Sequence, residues 1–181
     1  MPAAASLAPL PAADLVAQIE ALHPASFGWA LACCRRDRES AADVLQQAYC
    51  RILSGQARFD GRSALRTWLF GVIRLTALEH RRWSWLPYRL AMALRLTAPS
   101  PERGAAPDEA VEAHEKTAHL SRALAELAAR QREVLHLVFY EELTIQEASR
   151  VMGVSLGAAR QHYERGKRNL SARLAEKEGR R

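Results

Sequence analysis

The residues with the most chemistry to offer stand close together near the C-terminus: Arg160, Gln161, Glu164, Arg165, Lys167 and Arg168. Between 160 and 168 four basic residues face one acidic one, a net +3. Arginine donates bidentately to the O6/N7 edge of guanine, and glutamine pairs in the same way with adenine. Arg160, Arg165 and Gln161 therefore carry the groups needed to read base edges. Glu164 can accept from a cytosine amino group, or pair along its helix with Arg160 or Arg168. Ser155 and Arg168 suit phosphates at the entrance and exit of the same element. The competing reading is a solvated helix face. It is the weaker one if the element carrying this basic excess is shaped to enter a DNA groove.

Other chemistry is poorly supplied. There is no phosphate-cradling glycine loop, no zinc-binding HExxH and no Ser/His/Asp arrangement, so neither catalysis nor a cofactor is expected. His114 and His119 are five apart and point in different directions from one helix. Glu115 and His119 are four apart and could share a metal. Beside Glu112 and Lys116, however, they read as a charged solvated face, and no metal is expected. Cys33, Cys34 and Cys50 form neither a disulfide framework nor a CxxC pair. Cys33 and Cys34 read as buried thiols in a reducing compartment.

The element that must present Arg160 to Arg168 is legible just upstream. Thr144 with Glu147 three residues on is a capping box opening a short helix. Ser149 is small where two helices must cross, and Gly153 stands where the turn needs positive φ. Val154, Leu156, Ala159 and Tyr163 then give a second helix its inward face. The whole is a helix-turn-helix whose second helix fits a major groove about 12 Å wide.

The chain has 181 residues and a net charge of +6, and 49% of it is apolar with only 7% aromatic. Its 34 Ala and 24 Leu favour helix over sheet, and no stretch alternates with period two for long. No window of about 18 uninterrupted apolar residues exists, so no membrane span is expected. The first ten residues lack the basic start of a signal peptide, so a cytoplasmic protein is expected. Prolines leave two free runs, Ala25 to Leu86 and Asp108 to Arg181, with a Pro-rich joint around Pro99, Pro101 and Pro107. The expected fold is all-α: two small helical domains joined by a flexible linker. The parts are an extension at 1–24 with no need of fixed structure, a first domain at 25–96, a linker at 97–112 and a second domain at 113–181.

In the first domain a helix is expected over Phe27 to Arg36, facing inward with Phe27, Ala30, Leu31 and Cys34. Ser40 then caps a helix carrying Val44, Leu45, Ala48, Tyr49 and Ile52. A long helix follows from Ser63 to about Trp83, with Leu65, Trp68, Leu69, Val72, Ile73, Thr76 and His80 on or near its apolar stripe. Trp68 is expected in the core. In the second domain the spacing predicts helices near 113–129, 131–141, 144–152 and 156–175.

Two further segments carry a family likeness: Ala41-Ala-Asp-Val-Leu-Gln-Gln-Ala-Tyr-Cys-Arg51 and Phe59-Asp-Gly-Arg-Ser-Ala-Leu-Arg-Thr-Trp-Leu-Phe70. With Gln131-Arg-Glu-Val-Leu135 and the helix-turn-helix, the chain resembles bacterial RNA polymerase sigma factors of the extracytoplasmic-function (ECF) group. The resemblance spans roughly Phe27 to Arg82 and Leu120 to Leu174. It implies that Asp43, Gln46 and Gln47, at i, i+3 and i+4, dock on the β′ clamp of RNA polymerase core. It implies that the segment 59–82, with Arg62, Ser63, Arg66, Arg74, Arg81 and Arg82, melts and reads the −10 element. There five basic residues against Asp60 and Glu79 leave +3, and the loop from Phe59 to Leu65 is the expected base pocket. Ser155, Arg160, Gln161, Glu164, Arg165, Lys167 and Arg168 then read −35 DNA. The partners implied are core polymerase (β′ clamp and β flap), promoter DNA and an anti-sigma factor.

Leu75, Gln47, Ala158 and Glu164 depart from residues common in that family, which bears on promoter sequence more than on activity. The aromatic segment Trp83 to Leu96 reads as a short helix from Pro87 that packs under the first domain. An anti-sigma docking surface or membrane-surface contact is the sharper alternative for it. The rival to the sigma reading is a one-component helix-turn-helix regulator whose N-terminal helical domain senses a ligand.

Overall fold

The computed structural model describes residues 12–93 and 120–178, with side chains over 14–82 and 120–175. The chain divides into two compact units, Met1–Ala98 and Pro99–Arg181. Among the described residues there are helices and turns and no strand.

In the first unit, α1 (Ala12–Ala21) leads directly into α2 (His23–Cys33), with Pro24 in the first turn of α2 where its missing N–H costs no hydrogen bond. Residues 12–21 and 23–24, part of the extension whose order the composition left open, are thus helical, and Ile19 is buried. α3 (Arg38–Leu53) folds back along α2, so that His23 Nδ1 at the start of α2 meets the Tyr49 hydroxyl near the end of α3 at 3.1 Å. The N-cap of α3 is Asp37 and not Ser40. The Asp37 carboxylate accepts from the Glu39 N–H at 3.2 Å and from the Ser40 hydroxyl at 2.6 Å, so Ser40 supports the cap from inside the first turn. A carboxylate three residues earlier outcompetes a hydroxyl for the same orphan N–H groups.

α4 (Leu65–Ala93) packs on both α2 and α3. It runs on through Pro87 instead of ending near Trp83. The side chains of the aromatic segment lie outside the described residues. The core joins Trp29, Ala30, Val44, Leu45, Ala48, Leu69, Phe70 and Ile73. Trp29 anchors it: the ring stacks on Phe70 at 6.1 Å and its indole N–H donates to the Phe70 carbonyl at 3.0 Å, satisfying the one polar atom such a ring brings inside. The buried face of α2 is therefore Ser26, Trp29 and Ala30. Phe27, Leu31 and Cys34, expected on that face, are only half-buried. With α3 and α4 on two sides, the contact stripe is rotated by one residue from the one the spacing suggested.

In the second unit a helix α5 is described over residues 120–125. The expected helix 113–129 is broken here, because Ala128 is extended (φ −56°, ψ 141°) and opens α6 (Ala129–Phe139); residues 113–119 lie outside the described set. Arg132 and Arg173 hold the break, donating to the Ala125 carbonyl and the Glu126 carboxylate at 3.0 and 2.7 Å. α7 (Ile145–Met152) and α8 (Leu156–Glu178) follow. α6 crosses α8 at Gly166, where an added Cβ would come within 3.2 Å of Leu135 Cδ1. Glycine eases that approach, since a Cβ there would force its neighbours to give by a few tenths of an ångström, and nothing in the sequence pattern marks the position.

Candidate nucleic-acid interface

The turn between α7 and α8 sets the direction of the basic helix. Thr144 caps α7 with both halves of the capping box: its hydroxyl accepts from the Glu147 N–H at 3.2 Å, and the Glu147 carboxylate accepts from the Thr144 N–H at 2.9 Å. At the other end Gly153 takes φ 62°, ψ 41°, a left-handed conformation costing other residues about 1–2 kcal/mol. Arg130, on α6, donates to the Met152 carbonyl at 2.9 Å, satisfying an orphan acceptor of the short helix. Nothing in the spacing of Arg130 announced this role. Ala148, Ser149, Val151 and Met152 are buried beneath the turn.

α8 then presents Arg160, Gln161, Glu164, Arg165 and Arg168 on one exposed face, as 100° per residue requires. Lys167 is exposed but stands on the flank. Its ammonium lies over the Tyr163 ring at 4.9 Å and 3.8 Å from Glu164. The ion-pair partner of Glu164 along the helix is therefore Lys167, in place of the Arg160 or Arg168 expected. Ser155 caps α8, accepting from the Ala158 N–H at 3.2 Å, which leaves its own O–H as a donor toward a phosphate. Gly157, exposed in the first turn, leaves the helix entrance open to close approach.

In the first unit, Asp43, Gln46 and Gln47 are all exposed on α3, on the side away from the buried Val44, Leu45 and Ala48. They form one polar stripe, as expected. The loop before α4 is shaped by Asp60, whose carboxylate accepts from the Arg62 N–H at 3.1 Å and pairs with the Arg62 guanidinium at 3.4 Å, while Gly61 takes φ 71°. Arg62 is exposed and Ser63 half-buried there.

Trp68 corrects an expectation. It is half-buried and not core, and its ring meets Phe59 at 5.3 Å. The core position falls to Phe70, which also carries the half-buried Arg66 guanidinium over its ring at 5.3 Å. The loop therefore has a two-ring aromatic wall that charge counting alone did not reveal. Arg74 is the second correction: at 7% exposure it is buried and cannot join a surface track for DNA. The track among described residues is Arg62, Arg66, Arg81 and Arg82. Glu79, counted against it, is taken up by Arg51 of α3, which also donates to the Thr76 hydroxyl at 3.4 Å.

The far end of this track, residues 80–82 of α4, lies beside the α2–α3 turn. Burial pushes the Cys34 thiol up to about 11, with Asp37 adding to the shift and Arg81 opposing it. The Asp37 carboxyl is held below its usual range, chiefly by the Ser40 hydroxyl, and His80 contributes. No group of His, Cys, Asp and Glu among the described residues could hold a metal ion, and no described helix is long and apolar enough to cross a membrane.

A helix-turn-helix with a basic outward helix, in a chain whose other unit is a helical bundle with an arginine track, defines a DNA-binding protein of two helical modules. Known proteins narrow this. The family model for Sigma-70 region 2 matches residues 18–85, and that for Sigma-70 region 4 matches residues 123–172. The ECF RNA polymerase sigma factor SigX of Bacillus subtilis is 27% identical over 138 residues, covering 72% of this chain and 69% of that protein. The ECF sigma factor SigC of Mycobacterium tuberculosis is 27% identical over 150 residues, covering 80% and 75%. The sigma factor RpoE of Bartonella quintana, solved with the anti-sigma factor NepR, is similar in fold with a TM-score of 0.68. It shares 20% identity, with 90% of this chain and 97% of that one covered. CnrH, solved with the cytosolic domain of CnrY, gives a TM-score of 0.61 at 21% identity, covering 88% and 87%. The chain belongs to the ECF-type RNA polymerase sigma factors, a family of DNA-binding transcription initiation factors and not of enzymes.

Proposed function

We propose that this sigma factor gives core RNA polymerase its promoter choice through two separate DNA contacts. The α8 face of Arg160, Gln161, Glu164, Arg165 and Arg168, entered past Ser155 and flanked by Lys167, reads the duplex −35 element. The first domain carries the −10 work: the polar stripe of Asp43, Gln46 and Gln47 engages the β′ clamp, while the loop at 59–65 captures a base of the displaced strand.

The observation that carries this reading is the Phe59–Trp68 ring pair at the loop that carries Arg62 and Ser63. An aromatic face next to cationic donors is what an unstacked base requires, and stacking is worth about 1–3 kcal/mol per base. Capture of that size offsets the few kcal/mol of unstacking. Melting is thus stabilised by binding, with no bond made or broken, and the chain needs no catalytic group. The Pro-rich linker joins the two contacts. Working with polymerase places the protein in the cytoplasm, and the complexes of RpoE with NepR and of CnrH with CnrY suggest an anti-sigma factor as its inhibitor.

The test is transcription in vitro by purified core polymerase plus this protein on a randomised promoter library. Selected promoters should share two conserved blocks. Substituting Arg160 or Arg165 should relax the upstream block only, and Trp68→Ala should weaken opening without altering it. Transcripts that ignore the added protein would refute the reading.

A further inference from the structure

The α2–α3 turn is strained. Arg35 and Arg36 both take positive φ, 56° and 68°. The Arg36 N–H donates to the Leu31 carbonyl at 2.8 Å, which is the closing bond of a helix C-terminus whose next residue is ordinarily glycine. Here that residue is Arg35, and a second arginine follows it into the same region. Such a conformation is uncommon outside glycine, and runs of it more so. Strain kept at two consecutive positions, when glycine or asparagine would relieve it, points to a use for the side chains.

Arg35, Arg36 and Arg38 are exposed, and so are Arg81 and Arg82 at the adjoining stretch of α4. The five arginines stand against Asp37 and Glu39, a net +3. From Leu65 to Arg81, α4 rises about 24 Å at 1.5 Å per residue. That is about seven nucleotides at 3.4 Å per phosphate of one strand.

We propose that the α2–α3 turn, with Arg81 and Arg82, is a further phosphate-binding site that grips the duplex backbone about seven nucleotides upstream of the base captured at the 59–65 loop. The inference rests on the promoter-reading role proposed above. Upstream is the direction because α4 is the helix from which the chain continues to the unit that takes the upstream element. Duplex phosphate fits better than an acidic protein surface because the patch continues the arginine track of α4, and better than base edges because no Asn or Gln stands between its arginines.

The test uses the holoenzyme with the full chain carrying Arg35→Gly and Arg36→Gly together, and separately Arg35→Lys with Arg36→Lys. The glycines remove charge while easing the backbone, so the melting temperature of the free protein should not fall. Affinity for core polymerase should be unchanged. The log–log dependence of promoter affinity on salt should flatten by about two for the glycine pair, near 0.9 per phosphate lost, and the lysine pair should restore it. Hydroxyl-radical protection about seven nucleotides upstream of the captured base should disappear. A holoenzyme that forms normally but keeps its salt dependence and protection overturns this inference alone. Weakened core binding with unchanged DNA affinity also overturns it, by making the patch a protein contact. A wild-type chain that never forms a holoenzyme overturns the underlying role together with it.

Discussion

Gly166 offers a test of how α8 is held for reading DNA. A Cβ added there would lie 3.2 Å from Leu135 Cδ1 and 3.3 Å from both Leu135 Cγ and Gln131 Cβ, against a comfortable carbon–carbon separation of about 3.5–4.0 Å. Gln131 Cβ is fixed to the α6 backbone, so relief requires α8 itself to move. Helix propensity favours alanine over glycine by about 0.8–1.0 kcal/mol, while overpacking a close crossing costs about 1–3 kcal/mol. For Gly166→Ala the two nearly offset. For Gly166→Val the extra methyl groups deepen the clash and the propensity gain shrinks, so a net loss of about 2 kcal/mol is expected. In a domain this small that lowers the melting temperature by about 8–16 °C. Displacement of α8 should also weaken −35 duplex binding. Gly71 is the control: no atom lies within 4 Å of a Cβ built there, so Gly71→Ala, inside α4, should raise stability by up to about 1 kcal/mol. Differential scanning calorimetry of the full chain with a fluorescence titration of −35 duplex reads both effects. A Gly166→Val protein that melts and binds like the wild type would refute the crossing argument.

Further expectations concern single groups. Thr144→Ala removes one half of the capping box and should cost about 1 kcal/mol, seen as an earlier thermal transition. Because burial holds the Cys34 thiol protonated up to about 11 against an ordinary 9.0, Cys34 should alkylate far more slowly than the exposed Cys50 at pH 8, as mass spectrometry can follow. The sign for stability follows from the same shift: the fold favours the neutral thiol, so this contribution is intact below pH 9 and lost as pH rises toward 11. A denaturation series across that range should show the decline, and a Cys34→Ala protein should lack it. Arg165→Ala should cost about 1–3 kcal/mol at one base position of the −35 element. Arg168→Ala should instead reduce affinity evenly across sequences and flatten the salt dependence by about one.

Much of this organisation was legible in the residues themselves. Thr144, Glu147 and Gly153 act locally, through capping and a forced φ, so their spacing announced the helix-turn-helix and the exposed face of α8. The stripe of Asp43, Gln46 and Gln47 followed from period alone. What escaped depends on tertiary neighbours. Arg74 reads as one more cation on α4 until the packed bundle shows it buried. Trp68 and Phe70 are two residues apart on one amphipathic helix, and only the crossing of α2 decides which ring meets Trp29 and which meets Phe59. Gly166 and Arg130 matter because of residues about thirty and twenty positions away in sequence, and α1 is helical in a stretch whose Ala- and Pro-rich composition left its order open.

The most direct measurement of the central claim is the affinity of the fluorescently labelled protein for purified core polymerase, with and without Asp43→Lys and Gln47→Lys together. Both residues are exposed and make none of the core contacts, so the variant should fold and melt like the wild type. Tight binding by the wild type, a loss of at least tenfold in the variant and a parallel loss of promoter-dependent transcripts are predicted. Equal affinity of the two proteins for core polymerase would contradict the account.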